Sequence, residues 1–106
     1  MEALAESYVP VDSATIRAAT EFLYALPDDI PSPEIVVEDD GAMAFDWTFG
    51  RRHAISVSVY ANNRIGYAWI NESFSGHAMA SFKAGVVPDS VLQQIREIVD
   101  AAFGSQ

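Results

Sequence analysis

The sequence predicts an α+β domain: an antiparallel meander of four to five strands flanked by an N-terminal and a C-terminal helix. Three observations predict it. Apolar residues recur at helical spacing near both ends, the middle alternates polar and apolar residues with period two, and turn residues punctuate the alternating part at short intervals. At 106 residues the chain is expected to form a single domain over 1–106.

Residues 1–10 read as a short lead closed by Pro10. Asp12 or Ser13 suits a helix N-cap, where a side-chain oxygen accepts from first-turn amides. The helix is expected to run to about Leu26, because Pro27 cannot continue it. Ile16, Ala19, Leu23 and Leu26 are expected to form its inward face. The run PDDIPSP over 27–33 predicts an extended connector, since each proline biases its predecessor away from helix.

Glu34–Glu38 reads as a short strand ended by the turn signal Asp39-Asp40-Gly41. Ala42–Phe49 places Met43, Phe45, Trp47 and Phe49 on one face, and His53–Tyr60 does the same with Ile55, Val57 and Val59. Joined through Gly50-Arg51-Arg52, the two strands set Phe49 opposite His53, Trp47 opposite Ile55 and Phe45 opposite Val57. For the next hairpin, Asn62-Asn63 suits a two-residue turn, since asparagine tolerates positive φ. Tyr60, Tyr67 and Trp69 then share the back face of the sheet, away from the core valines. A three-residue turn instead sends Tyr67 and Trp69 into the core, because a one-residue slip exchanges the faces. A fifth strand is expected over His77–Ala84 after a loop at Asn71–Gly76. Pro88 and Asp89 open a C-terminal helix whose stripe is Val91, Ile95, Ile98 and Ala102, widened by Leu92, Val99 and Phe103, with Gly104 beyond its end.

The charge is lopsided. Residues 1–50 hold eleven acids against the single basic residue Arg17, whereas residues 51–106 hold four acids against five basic residues, together the formal −9. Six acids crowd into one stretch: Asp28, Asp29, Glu34, Glu38, Asp39 and Asp40. Such a patch repels nucleic acid and attracts basic protein surfaces, so these six, with Tyr60, Tyr67 and Trp69, are the expected partner-binding residues. No direct nucleic-acid or membrane binding is expected. No signal peptide is apparent in the first residues, and no apolar run is long enough to span a bilayer. The expectation is a soluble cytoplasmic protein.

No constellation identifies a reaction. Cysteine is absent, which excludes disulfides, thiol catalysis and thiolate metal sites. His53 and His77 stand on separate strands without a metal-ligand spacing, and Ser73, Ser75 and Ser81 near His77 lack a nucleophile elbow or triad partners. Asp39-Asp40-Gly41 is explained as a turn without invoking a cation. No phosphate loop is present. Arg51, Arg52 and Arg64 near the hairpin tips are expected to pair with acids and keep the sheet edges soluble. The expectation is a non-enzyme with no catalytic residues, no cofactor and no metal.

The run Pro31-x-Pro33-Glu34, Asp40-Gly41, Trp47, Arg51-Arg52, Val57-Ser58-Val59, Gly66-Tyr67-Ala68, Phe82 and Pro88 resembles a family of small bacterial proteins associated with phage and other mobile genetic elements. The resemblance covers roughly residues 31–99 and carries no catalytic residues. With small size and acidity, it implies similarity to phage-encoded inhibitors of bacterial defence, anti-CRISPR proteins among them, which often block a target's nucleic-acid groove. The expectation is an acidic inhibitor of a macromolecular partner with a basic surface, such as a nucleoprotein defence complex, its carboxylates mimicking phosphates. The alternative is a homodimeric assembly module using the aromatic face.

Overall fold

A computed structural model describes residues 12–83 and 85–103; the lead at 1–10 and Gly104 lie outside them. The fold is α+β, with α1 at Ser13–Ala25, β1 at Glu34–Val37, β2 at Met43–Thr48, β3 at His53–Val59, β4 at Arg64–Asn71, β5 at Phe74–Ser81 and α2 at Asp89–Phe103. The strands form one antiparallel sheet in the order β1-β2-β3-β4-β5. Both helices lie on the same face, α1 over β2 and β3, α2 over β3 and β4. Among the described residues, no helix lies on the other face of the sheet.

Asp12 holds the N-cap position of α1 in an extended conformation, but its side chain makes no capping bond; its carbonyl accepts from Ile16 N at 3.1 Å. At the far end Leu26 turns extended ahead of Pro27. The inward face of α1 differs from the expected one. Thr15, Ala18, Ala19 and Phe22 are buried, whereas Ile16 and Leu23 are 49% and 36% exposed. Two alanines let the helix lie close to the sheet, and Phe22 then reaches the centre of the core. Its ring sits 4.9 Å from Phe45 and 5.9 Å from Phe82. Ile16 and Leu23 are left on the flank beside Ile35 and Met43. The connector is also not wholly extended, because Ile30 N donates to Pro27 O at 3.1 Å and closes a turn with Asp28 and Asp29 at its tip.

The β2–β3 register is the expected one, with Trp47 opposite Ile55, Phe45 opposite Val57, and Phe49 N donating to His53 O at 2.8 Å. Trp47 is buried, and its indole N–H donates to Pro31 O at 2.7 Å, which ties the connector to the sheet.

The β3–β4 register corrects the expected one. Val59 faces Ile65, Val57 faces Tyr67 and Ile55 faces Trp69. The turn has three residues, Ala61, Asn62 and Asn63. Tyr60 N donates to Arg64 O at 3.0 Å, Asn63 N donates to Tyr60 O at 3.1 Å, and Asn63 adopts φ 64°. This is a hairpin loop with one left-handed residue at its end. The extra residue moves Tyr67 and Trp69 to the helix side, where they stack with centroids 5.6 Å apart. Tyr67 is 9% exposed and Trp69 half-buried. Tyr60 stays on the open face, so the three aromatics do not share one.

The fifth strand begins earlier than expected, at Phe74, because Glu72-Ser73 makes a two-residue turn with Glu72 at φ 59°. Gly76, read as loop, pairs with Trp69, and a Cβ there would lie 2.6 Å from the indole ring. The absent side chain makes room for the tryptophan. In α2, Val91, Ile95 and Ile98 are buried as expected, with Leu92 and Val99 packed at the core's margin. Phe103 is 59% exposed, its ring edge-on to Phe49 at 4.9 Å.

Phe22→Ala is expected to cost about 3–5 kcal/mol, the range for emptying a buried aromatic site. Ile16→Ala should cost roughly 1 kcal/mol or less, as partly exposed positions usually do. Urea unfolding of the two variants checks which face of α1 is buried.

Trp69→Ala should likewise lose stability, by about 2–4 kcal/mol for a half-buried indole. Gly76→Ala should lose about 1–3 kcal/mol and shift the tryptophan fluorescence, because the ring must move away from the new methyl. A Trp69→Ala variant as stable as the parent would return the residue to the open face.

Candidate functional site

Strand alternation decides what the open face carries. Glu34, Asp46, Ser56, Ser58, Gly66, Ala68, His77 and Met79 stand on the side opposite the core residues. At the centre of this face β3 and β4 contribute the small residues Ser56, Ser58, Gly66 and Ala68, and the sheet is therefore hollowed there. A groove of about 500 Å³ lies over Ser56, Ser58, Gly66 and Ala68, walled by Glu38 and Tyr60 on one side and by His77 and Met79 on the other. Gly66 is part of the hollow's shape, since a Cβ there would sit 3.2 Å from Met79 Sδ and 3.7 Å from the Tyr60 ring. A second hollow of about 250 Å³, over Thr48, Ala54 and Ile70, shares Ser56 and Ala68 with the first and continues the trough along the sheet.

One wall of the trough is acidic. Glu38 Oε1 accepts from Ser58 Oγ at 2.8 Å, and Asp46 Oδ1 accepts from Ser56 Oγ at 2.6 Å. These bonds lay both carboxylates over the sheet instead of letting them swing into solvent. Asp39, Asp40 and Gly41 form a three-residue turn, closed by Glu38 N to Ala42 O at 2.8 Å and Gly41 N to Glu38 O at 2.9 Å. Gly41 there takes φ 88°, and Asp40 Oδ1 accepts from Ala42 N at 3.1 Å. Tyr60 stands beside this turn. Burial pushes its phenol pKa up, and the charges of Asp40 and Glu38 push it in the same direction.

The six expected acids are thus brought together in part. Glu34, Glu38, Asp39 and Asp40 line the β1 edge and its turn. Asp28 and Asp29 sit at the connector's tip, and Asp29 is already engaged. Arg96 of α2 makes two bonds to its carboxylate, at 3.0 and 3.3 Å, and this pairing holds the Asp29 pKa below the usual carboxylate range. Tyr67 and Trp69 lie on the helix side, apart from the acids. Asp46 and Met79 join the site unannounced by charge clustering or motif. Asp46 was nonetheless legible from alternation, standing between the core residues Phe45 and Trp47.

At the opposite end of the sheet, Arg52 Nη1 lies 3.5 Å from Glu72 Oε1, the expected pairing of a hairpin-tip arginine with an acid. His53 Nε2 lies 2.9 Å from Glu72 Oε2, but out of line for a hydrogen bond, so this buried nitrogen has no hydrogen-bond partner among the described residues. Also among the described residues, no cluster of three or more metal-ligating side chains occurs, and no helix is long and apolar enough to cross a membrane. The open trough therefore offers a contact surface with carboxylates, hydroxyls, one phenol and a thioether. Comparison with protein-family models, curated proteins and solved structures finds no match to this chain.

Removing the two charges with Glu38→Gln and Asp40→Asn is expected to lower the Tyr60 midpoint toward the ordinary phenol value without reaching it, because burial remains. Since the folded pKa is the raised one, the stability linked to Tyr60 is complete below the unfolded value and is lost as pH rises through the folded one. An NMR titration of the labelled Tyr60 ring in parent and double variant reads this directly. An unchanged midpoint would mean the acids do not face the phenol.

Proposed function

We propose that this chain is a non-enzymatic binding protein that modulates or inhibits a macromolecular partner by applying its acidic edge and the adjoining trough to a basic surface. In line with the resemblance to mobile-element proteins, the partner class is a nucleoprotein defence complex, the protein a phage-encoded inhibitor of the anti-CRISPR kind, and the site of action the bacterial cytoplasm. The observation that carries this reading is the segregation of charge on the fold. Glu34, Glu38, Asp39, Asp40 and Asp46 converge on one side of a sheet face that, among the described residues, no helix covers. Carboxylates set along an edge resemble a row of phosphates to a groove built of arginine and lysine. They would raise the encounter rate with such a groove, while Tyr60 and Met79 supply buried apolar contact once docked. The homodimer expected through an aromatic face loses that face, because Tyr67 and Trp69 lie on the helix side.

The test is affinity capture of the tagged protein from a bacterial lysate at low and high salt. A nucleoprotein target retained at low salt, released at high salt and stripped of its nucleic acid on binding is the expected result. Reversing Glu34, Asp39 and Asp40 to lysine should slow association with that target at least about tenfold and leave dissociation nearly unchanged, as rim charges do. Association rates that ignore both salt and these reversals would reduce the acids to solubilising groups.

A further inference from the structure

The two edges of the sheet are built differently. The β1 edge is four residues long and framed by Glu34 and Glu38. Short length and charge are the usual protections of an edge strand against pairing with another chain. The β5 edge is eight residues long, Phe74–Ser81, and carries no lysine, acid, proline or bulge. Its backbone hydrogen-bonding groups are divided by the register. Tyr60 N bonds Arg64 O, so even-numbered residues of β4 face β3 and odd-numbered ones face β5. Phe74, Gly76, Ala78 and Ala80 therefore pair with β4, and Ser75, His77 and Met79 turn their N–H and C=O groups to the free edge. Among the described residues nothing pairs with that edge.

We infer that β5 pairs with β5 of a second copy of this chain, antiparallel about a two-fold axis, to make one continuous ten-stranded sheet. The ends of the strand select this occupant. Glu72 precedes β5 and Lys83 follows it, so antiparallel pairing brings the acid of one copy, which also lies against Arg52 and His53 of its own chain, toward the lysine of the other, twice. Phe74, 75% exposed, stands at the Glu72 end, and Val86, 61% exposed and bridged to Lys83, stands at the other. The same pairing brings each phenylalanine to the other copy's valine. A parallel pairing would oppose like ends and lose both matches. The strong negative charge does not oppose the dimer, because the acidic β1 edge is four strands away, about 19 Å at the usual strand spacing. The two acidic edges end up at the outer limits of the double sheet. This inference is independent of the proposed function, since the acidic edge and β5 are separate surfaces.

Sedimentation of the full chain over a concentration series tests it. A reversible monomer–dimer equilibrium is expected, with the amides of His77 and Met79 protected from hydrogen exchange only in the dimer. His77→Pro removes one outward N–H and leaves the β4 bonds intact, so it should weaken the dimer at least about tenfold. His77→Ala keeps that N–H and should not. Where the proline variant fails to fold by circular dichroism, the charge swap decides. Lys83→Glu and Glu72→Lys should each weaken the dimer, and the two together should restore it. A chain monomeric up to about 1 mM, or a dimer without His77 and Met79 protection, overturns the proposal.

Discussion

Asn63 holds the backbone conformation on which both faces of the sheet depend. With φ at 64° it ends a three-residue turn, and its position sets which residues of β4 meet the valines of β3. A strand has a side-chain period of two, so a single residue more or less in this turn exchanges every contact of β4 between core and solvent. The same residue also fixes β5, because its carbonyl accepts from Phe82 N at 2.6 Å just past the strand's end. Asn62 contributes from the turn's centre, its Oδ1 accepting from Arg64 N at 3.1 Å. The β1–β2 hairpin uses the same device with glycine, Gly41 standing to Glu38 and Ala42 as Asn63 stands to Tyr60 and Arg64.

Once that register is set, size complementarity follows on both sides. On the helix side β4 delivers Ile65, Tyr67 and Trp69, and the sheet accommodates the indole because Gly76 opposite has no side chain. On the open side the same strand delivers Gly66 and Ala68 next to Ser56 and Ser58, and the small groups leave the trough. The hollow and the packed core are two consequences of one register. The bulky residues went to the side where two helices could cover them, which is where burial of apolar area is favourable.

The fold class, the order of elements and the β2–β3 register were legible because several signals agreed there. Phe45, Trp47, Ile55 and Val57 alternate without ambiguity, and Pro27 and Pro88 mark the inner ends of the helices. Three features were not legible, each for a local reason. Asn62-Asn63 suits a turn of either two or three residues, since asparagine takes positive φ in both. The face of α1 was ambiguous because Ile16, Ala18, Ala19, Phe22, Leu23 and Leu26 wrap more than one side of a helix, and only the close approach to β2 and β3 selects the alanines and Phe22. The start of β5 was hidden because Glu72 occupies a positive-φ position that glycine usually fills. Of the site, the acids on β1 and its turn were visible as a cluster, but their neighbours across the face depend on strand pairing that only the register supplies.

The acidic residues also answer a constraint of the fold itself. β1 exposes Ile35, Val36 and Val37 at 47%, 40% and 44%, an apolar β-branched run on an outer strand. Without charge, such a strand is a template for association with other chains. Glu34 and Glu38 bracket the run and Asp39 and Asp40 follow it, so the carboxylates keep β1 from pairing edge to edge. A surface kept negative for that reason still carries its field outward, and the field is concentrated where the open face begins. The residues that close one edge of the sheet to strand pairing are therefore also the ones that set negative charge beside the adjacent trough.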